Sequence, residues 1–496
     1  STLLSALLLG AFMALRGYAK DVYVNNQAGN DDTADGTREK PYATIMAAVE
    51  VLENSDSLHL TATGIPYRPT GSIHLKGIGG TPEKPLIIDG HGATITWRRR
   101  YGVDQWKDEG EGIFSRKMGT NSAMKRHWEG FDLVMFDGRP GTSCVCRAAL
   151  EPFGYVLYTR RSEKRSEADV PPDTLFIRLP EAKTPADVVV ETCAPGGLNI
   201  GVASHIVVRN LCTMWVAGDG MGSYFCHDLL YENVESAFNT DQGMSHHSSS
   251  VDVRDSHFHH NAGCGIVDVR LASGNAQSRY VNCLVENDSY RGGVEFQDGD
   301  YEMENCIVRN NAGLALQARR GSAPRNISKV RLKNCVFIGN PNPKTRWPQN
   351  TVEIGPNCYG SVVNCTFYGI AMKLHVKKNT FPTEIFQCAF IPAPYGPDTI
   401  LTINGLDKTM GGSVISHYNY FASGEIRINH IDSPRLNENR QVFSTPEVYL
   451  KNDLGLERGS VSFPLEGELS PYNLSGLNGK GRNGDTIGAY LEVDEP

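Results

Sequence analysis

The sequence predicts an all-β chain: a right-handed parallel β-helix with an N-terminal capping helix and an inserted antiparallel β-sandwich-like subdomain. Three observations carry the prediction. A ladder of amide or carboxylate side chains, each followed by a small or apolar residue, recurs from Arg209 to Cys388: Asn210-Leu211, Asn233-Val234, Asp255-Ser256, Asn282-Cys283, Asn305-Cys306, Asn334-Cys335, Asn364-Cys365, Gln387-Cys388. Its steps of 22 to 30 residues suit one coil per repeat of a stacked solenoid. Short strands are separated by turn residues, and the 51 glycines supply the tight corners such coils need. Stacked Asn side chains can bond one another along the axis, satisfying groups that would otherwise be unpaired.

The elements follow in order. Ser1 to Ala19 reads as an export signal, with an apolar run from Leu3 to Leu15 too short to span a membrane. Residues 20–97 form the cap and first coils. Asp21-Val22-Tyr23-Val24 is the first strand, and a helix from about Ile45 to Leu52 covers the open sheet edge. Short strands follow at Ser57–Leu60, Ser72–Leu75 and Pro85–Asp89. The ladder is absent from 98 to 190, where Trp106, Trp128, Asp137-Gly138-Arg139-Pro140 and Thr174–Leu179 suggest antiparallel strands. Coils occupy 191–421, and 422–496 is expected to wrap the outside.

Composition narrows the partners. A net charge of −8 argues against nucleic acid, and no further segment is long enough for stable membrane insertion. Of the twelve cysteines, those on the ladder are expected to be a buried column of free thiols. Cys144 and Cys146 lie off the ladder and are expected to pair elsewhere.

Gly36-Thr37 with Lys40-Pro41-Tyr42-Ala43-Thr44-Ile45, then Gly80-Thr81-Pro82-Glu83-Lys84-Pro85-Leu86-Ile87-Ile88, and Asp485-Thr486-Ile487-Gly488-Ala489-Tyr490 near the end, resemble secreted β-helix carbohydrate-active enzymes of the pectate-lyase-like superfamily. The resemblance implies a secreted protein with a polysaccharide partner. It also implies that 98–190 matches the insertion seen in β-helix glycoside hydrolases such as fucan- or xylan-degrading enzymes. It does not select a reaction, because this fold hosts hydrolases, lyases and epimerases.

Candidate chemistry concentrates on the central coils. Counting thirteen residues from each rung aligns Ser223, His246, Asp268 and Glu295, one coil apart at about 4.8 Å. Aligning the glycines Gly243, Gly265 and Gly293 instead keeps His246 opposite Asp268 but puts Phe296 in place of Glu295. Asp268 and His246 are thus the primary catalytic pair, with Glu295, Asp241 and His247 as further candidates. Asp219, Asp241 and Asp298 could hold calcium, although no cofactor is required. His257, His259 and His260 are expected on a turn. A cationic track is expected from Lys373, His375 and Lys377, with Arg270, Arg291, Arg319, Arg320 and Arg346-Trp347 of other coils; Asp298 and Tyr224 complete the substrate-binding set. The leading function is a glycoside hydrolase on an anionic polysaccharide. The alternatives are a lyase or C5-epimerase using Tyr224, His247 and Arg270, and a glycan-binding β-helix without catalysis.

Overall fold

A computed structural model describes residues 19 to 443 with internal gaps, the longest at 119–133 and 159–169, then 457–458 and 488–489. The export-signal run, Trp128, Arg291, Arg320, Arg346, Trp347 and Lys377 lie outside the described residues.

The coils form a parallel β-helix. One sheet has twelve strands from Ile73–Lys76 to Arg440–Phe443, and a second merges twenty strands around the remaining sides. The second sheet is continuous because Leu86–Thr96, Ser204–Met214 and His227–Ala237 each run through the rung position as one long strand.

The rungs are where the backbone turns. Asn210, Asn233, Asp255, Asn282, Asn305, Asn334, Asn364 and Gln387 all have φ between 49° and 54°. Asn and Asp tolerate this left-handed conformation better than most side chains, which explains the ladder's composition. The amides are stacked as expected: Asn305 donates to Asn282 at 3.3 Å, Asn334 to Asn305 at 3.2 Å and Asn364 to Asn334 at 2.9 Å. The thiols of Cys283, Cys306, Cys335, Cys365 and Cys388 lie inside the coils. Beside them, Phe337, Phe367, Phe390 and Phe421 stack at 5.3, 4.9 and 5.0 Å. Each fully buried ring of this kind contributes about 1.5–3 kcal/mol to stability.

The cap is helix α1, Ile45–Glu50, which starts where Thr44 Oγ1 accepts from the Ala47 N–H and ends slightly before the expected Leu52. At the other end coiling persists beyond residue 421. Glu425–His430 pairs parallel with Thr399–Leu406, and Arg440–Phe443 then adds antiparallel and closes that edge. Farther on, Ala489 packs against Val336 and Ile338 on the outside of the coils.

Two expectations need correction. All twelve cysteines are free, Cys144 and Cys146 included. His257 and His259 lie on a strand, where their rings stack at 4.1 Å, and only His260 occupies a left-handed turn.

The insertion forms a five-stranded and a four-stranded sheet, antiparallel except for one pair between Thr142–Ser143 and Gly154–Tyr158. Its core, including Tyr101, Trp106 and Phe114, continues into Trp215, Ala217 and Ala262 of the coils. This seats the insertion against the turns that lead into the twelve-stranded sheet.

Candidate active site on the twelve-stranded sheet

Eight successive strands of this sheet build the candidate site, and six of them carry predicted residues: β1 Leu198–Gly201, β2 Met221–Tyr224, β3 Met244–His247, β4 Cys264–Val269, β5 Gly292–Gln297, β6 Leu314–Arg319, β7 Thr351–Ile354 and β8 Ala371–His375, with none on β1 or β7. Neighbours pair in parallel register. Because side chains alternate, every strand has an inward and an outward set.

His246 and Asp268 are register partners, as both alignments require. Asp268 is opposite Phe296, and Glu295 is opposite Val267, so the glycine alignment is the one found. The column also faces inward. Ile200, Ser223, His246, Asp268, Phe296, Ala318, Ile354 and Leu374 succeed one another in register, and all are buried in the core. His246 and Asp268 therefore do not reach the outer face on which a polymer can lie.

Inside, they form a polar pocket in an apolar spine. Ser223 Oγ and His246 Nδ1 are 2.7 Å apart, and the Tyr231 ring lies 5.5 Å from the imidazole. Tyr280 donates to Asp268 Oδ2 at 2.8 Å, and Ser278 stands beside the carboxyl without meeting hydrogen-bond geometry. Burial, opposed by Ser278 and Tyr280, pushes the Asp268 carboxyl up to about 7. Burial, reinforced by His247, pushes His246 down to about 3. Both side chains are thus held in neutral forms, as a low-dielectric interior demands.

The outward set holds a different constellation. One outer column runs Asn199, Gly222, Ser245, Val267, Glu295, Gln317, Glu353, Lys373. Beside it run Tyr224, His247, Val269, Gln297 and Arg319, with His375 farther along. Arg319 donates to Glu295 Oε1 from Nε at 2.7 Å and also from Nη2, and Gln297 Nε2 donates to the same oxygen. One coil lies between Glu295 and Glu353. Glu353 Oε1 is 2.9 Å from His375 Nε2, and its Oε2 accepts from Gln317 at 3.4 Å. The His375 hydrogen bond and the charge of Lys373 hold the Glu353 carboxyl below its usual range, against a smaller opposing effect of burial.

The remaining candidates are more scattered. His247 is half-buried on the outer face, 3.3 Å from Ser245 Oγ, and burial lowers its pKa. Tyr224 folds over Gly201, where a Cβ would lie 2.0 Å from the ring, so this glycine makes room for the tyrosine. Asp219 and Asp241 lie in turns before β2 and β3, whereas Asp298 is buried just after β5. Opposite strand ends do not bring the three calcium candidates together. Arg270 leaves β4, and its N–H bonds the Gln297 carbonyl.

Sequence reasoning missed Glu353, Gln317 and Gln297. The alternation Thr351-Val352-Glu353-Ile354 contained the signal for Glu353, with two apolar residues inside and the acid outside.

No family model matches the sequence, and neither does any curated protein. Among solved structures the chain is similar to XylC, solved with xylose, at 10% identity and a TM-score of 0.45, over 82% of this chain and 84% of that one. It is similar to the pectate lyase Pel9A at 11% identity and 0.42, over 82% and 81%, and to a rhamnogalacturonan lyase at 10% and 0.39, over 81% and 87%.

Proposed function

We propose that the chain is a polysaccharide-cleaving enzyme, a glycoside hydrolase acting with inversion on an anionic glycan, and that Glu295 and Glu353 are its two carboxyl groups. One observation carries the reading: the two glutamates share an outer column two coils apart, with Gln317 in register between them. At about 4.8 Å per coil their backbones are about 9.6 Å apart. That two-coil backbone spacing is nearer to the carboxyl separations of inverting hydrolysis, about 6.5–9.5 Å with room for a water, than to the about 5–5.5 Å of retention.

Glu353, kept ionised by His375 and Lys373, is the base that takes a proton from the attacking water. Glu295 is the acid. Arg319 shares its carboxylate until a sulfate or carboxylate group of the substrate draws the guanidinium away. Glu295, in its protonated form, then gives its proton to the leaving oxygen.

Glu295→Gln and Glu353→Gln should each slow turnover about 10² to 10⁴-fold on the true substrate, found from a panel of sulfated and uronic-acid polysaccharides. The product should have the inverted anomeric configuration. Near-normal turnover in either variant would remove that residue from the mechanism.

A second reading, elimination from a uronic acid polymer, is favoured by the His375–Glu353 contact beside Lys373. His375 would take the C5 proton while Lys373 and Arg319 hold the uronate carboxylate. Ultraviolet absorbance of an unsaturated product would establish it in place of hydrolysis.

A further inference from the structure

The inserted subdomain holds buried donors without acceptors. Arg116, on the strand Ile113–Lys117, has its guanidinium carbon 3.4 Å from the centre of the Tyr101 ring and 5.7 Å from that of Trp106. Tyr101 and Trp106 meet edge to face at 6.3 Å. Arg116 Nε and Nη1 and Trp106 Nε1 are all buried, and none has a hydrogen-bond partner among the described residues. Trp106 is only 9% exposed, while Arg116 is half-buried. Among the described residues Arg116 makes no ion pair, and the charge that acts on it from nearby is another cation, Arg99. The Tyr101 hydroxyl accepts from Thr192 at 3.0 Å.

Buried polar groups are nearly always paired, so three unpaired donors with no carboxylate beside them among the described residues require an explanation. A cation–π contact accounts for the guanidinium's position over Tyr101 but satisfies none of its N–H groups. The common property of the three is that each donates, and the charge is positive. The complementary ligand is an oxyanion, which a guanidinium grips with more than one N–H.

We propose that Arg116 and Trp106, with Tyr101 as the supporting ring, form a binding site for a single oxyanion group, a carboxylate or a sulfate ester, carried by a sugar. The site belongs to the insertion and does not depend on the chemistry assigned to Glu295 and Glu353. Its subdomain packs on Trp215 and Ala262, beside the turns entering β2 to β4, so a chain held here could extend toward the outer face.

The test is calorimetric titration of the full chain with inorganic sulfate and, separately, with glucuronate. Saturable binding of either supports the site and identifies which group it takes. Arg116→Met should weaken that binding at least tenfold, and Trp106→Phe, which removes the indole donor and trims the ring while keeping an aromatic, several-fold. Without ligand, Arg116→Met should melt at the same temperature as the parent or higher, because it removes unpaired buried donors. A purely structural arginine would lower it. The Trp106→Phe titration decides the matter should Arg116→Met fail to fold. Absence of saturable binding to the parent, or binding that is lost in Lys373→Ala and kept in Arg116→Met and Trp106→Phe, would overturn the proposal.

Discussion

The Tyr280 hydroxyl donates 2.8 Å to Asp268 Oδ2 in the interior of the coils, one step from His246 on the neighbouring strand. A carboxyl in this position is a core group. It is uncharged below about pH 7 because burial outweighs its two polar neighbours. The pair once expected to work on substrate instead makes a statement about stability.

That statement has a definite sign. Asp268 has a folded pKa of about 7, above its ordinary 3.8, so its contribution is full below pH 3.8 and is lost as pH rises toward 7. His246 has a folded pKa of about 3, below its ordinary 6.5, so its contribution is present above pH 6.5 and is lost as pH falls toward 3. Between these limits the two slopes, each about 1.4 kcal/mol per pH unit, cancel. Asp268→Asn should expose the histidine slope, with stability falling on acidification below 6.5. His246→Gln should expose the opposite slope. Denaturant melts across pH 4 to 6.5 check this; equal slopes in both variants would show that the two groups do not titrate independently.

A second ladder makes a sharper case. Asn239 Nδ2 donates to Asn261 Oδ1 at 2.9 Å, Asn261 Nδ2 donates to Asp288 Oδ1 at 3.0 Å, and the Asp288 N–H donates to Asn311 Oδ1 at 2.9 Å. All four side chains are buried, and Asp288 Oδ2, where an amide would continue the chain, has no partner among the described residues. Burial raises the Asp288 pKa well above its ordinary value. Asp288→Asn should stabilise the protein by about 1–3 kcal/mol, with a larger gain as pH rises. Asn261→Ala should destabilise it by a similar amount. Thermal melts of the two variants should move in opposite directions.

The thiol column predicts a chemical count. Titration of the denatured, unreduced protein should find the ladder set free, and all twelve if Cys144 and Cys146 are as the fold places them. The native protein should react slowly, because burial raises the pKa of Cys226, and of Cys358 to about 12, and keeps the reactive thiolate scarce. Twelve oxidised cysteines would contradict the fold's interior.

Affinity for an anionic glycan should weaken with salt, since the Debye length is about 10 Å at 0.1 M. Lys373→Ala should lower affinity and flatten the salt dependence. Binding that is indifferent to both would leave Lys373 as surface charge.

The rungs were legible because a left-handed turn with a side-chain bond at each coil imposes the same chemistry at Asn282, Asn305, Asn334 and Asn364. The interior ladder could have been read too, since Asn239, Asn261, Asp288 and Asn311 each stand six residues after a rung. The sequence places His246, Asp268 and Glu295 on successive coils, as the register does, but does not say which of them faces outward. Between rung and site sheet the chain turns a corner of variable length: Cys264 comes nine residues after Asp255, whereas its register partner Gly292 comes ten after Asn282. One residue at such a corner moves a side chain from one face of a strand to the other.

By itself the sequence determined the repeat, its coil length and the residue types that its corners and core require, because these are local demands repeated along one axis. Which acids share the outer face, how Glu353 finds His375, and that Arg116 Nε and Nη1 are buried without an acceptor among the described residues were decided by tertiary structure. Those facts depend on corner geometry and on contacts between coils and insertion, which no periodicity in the chain encodes.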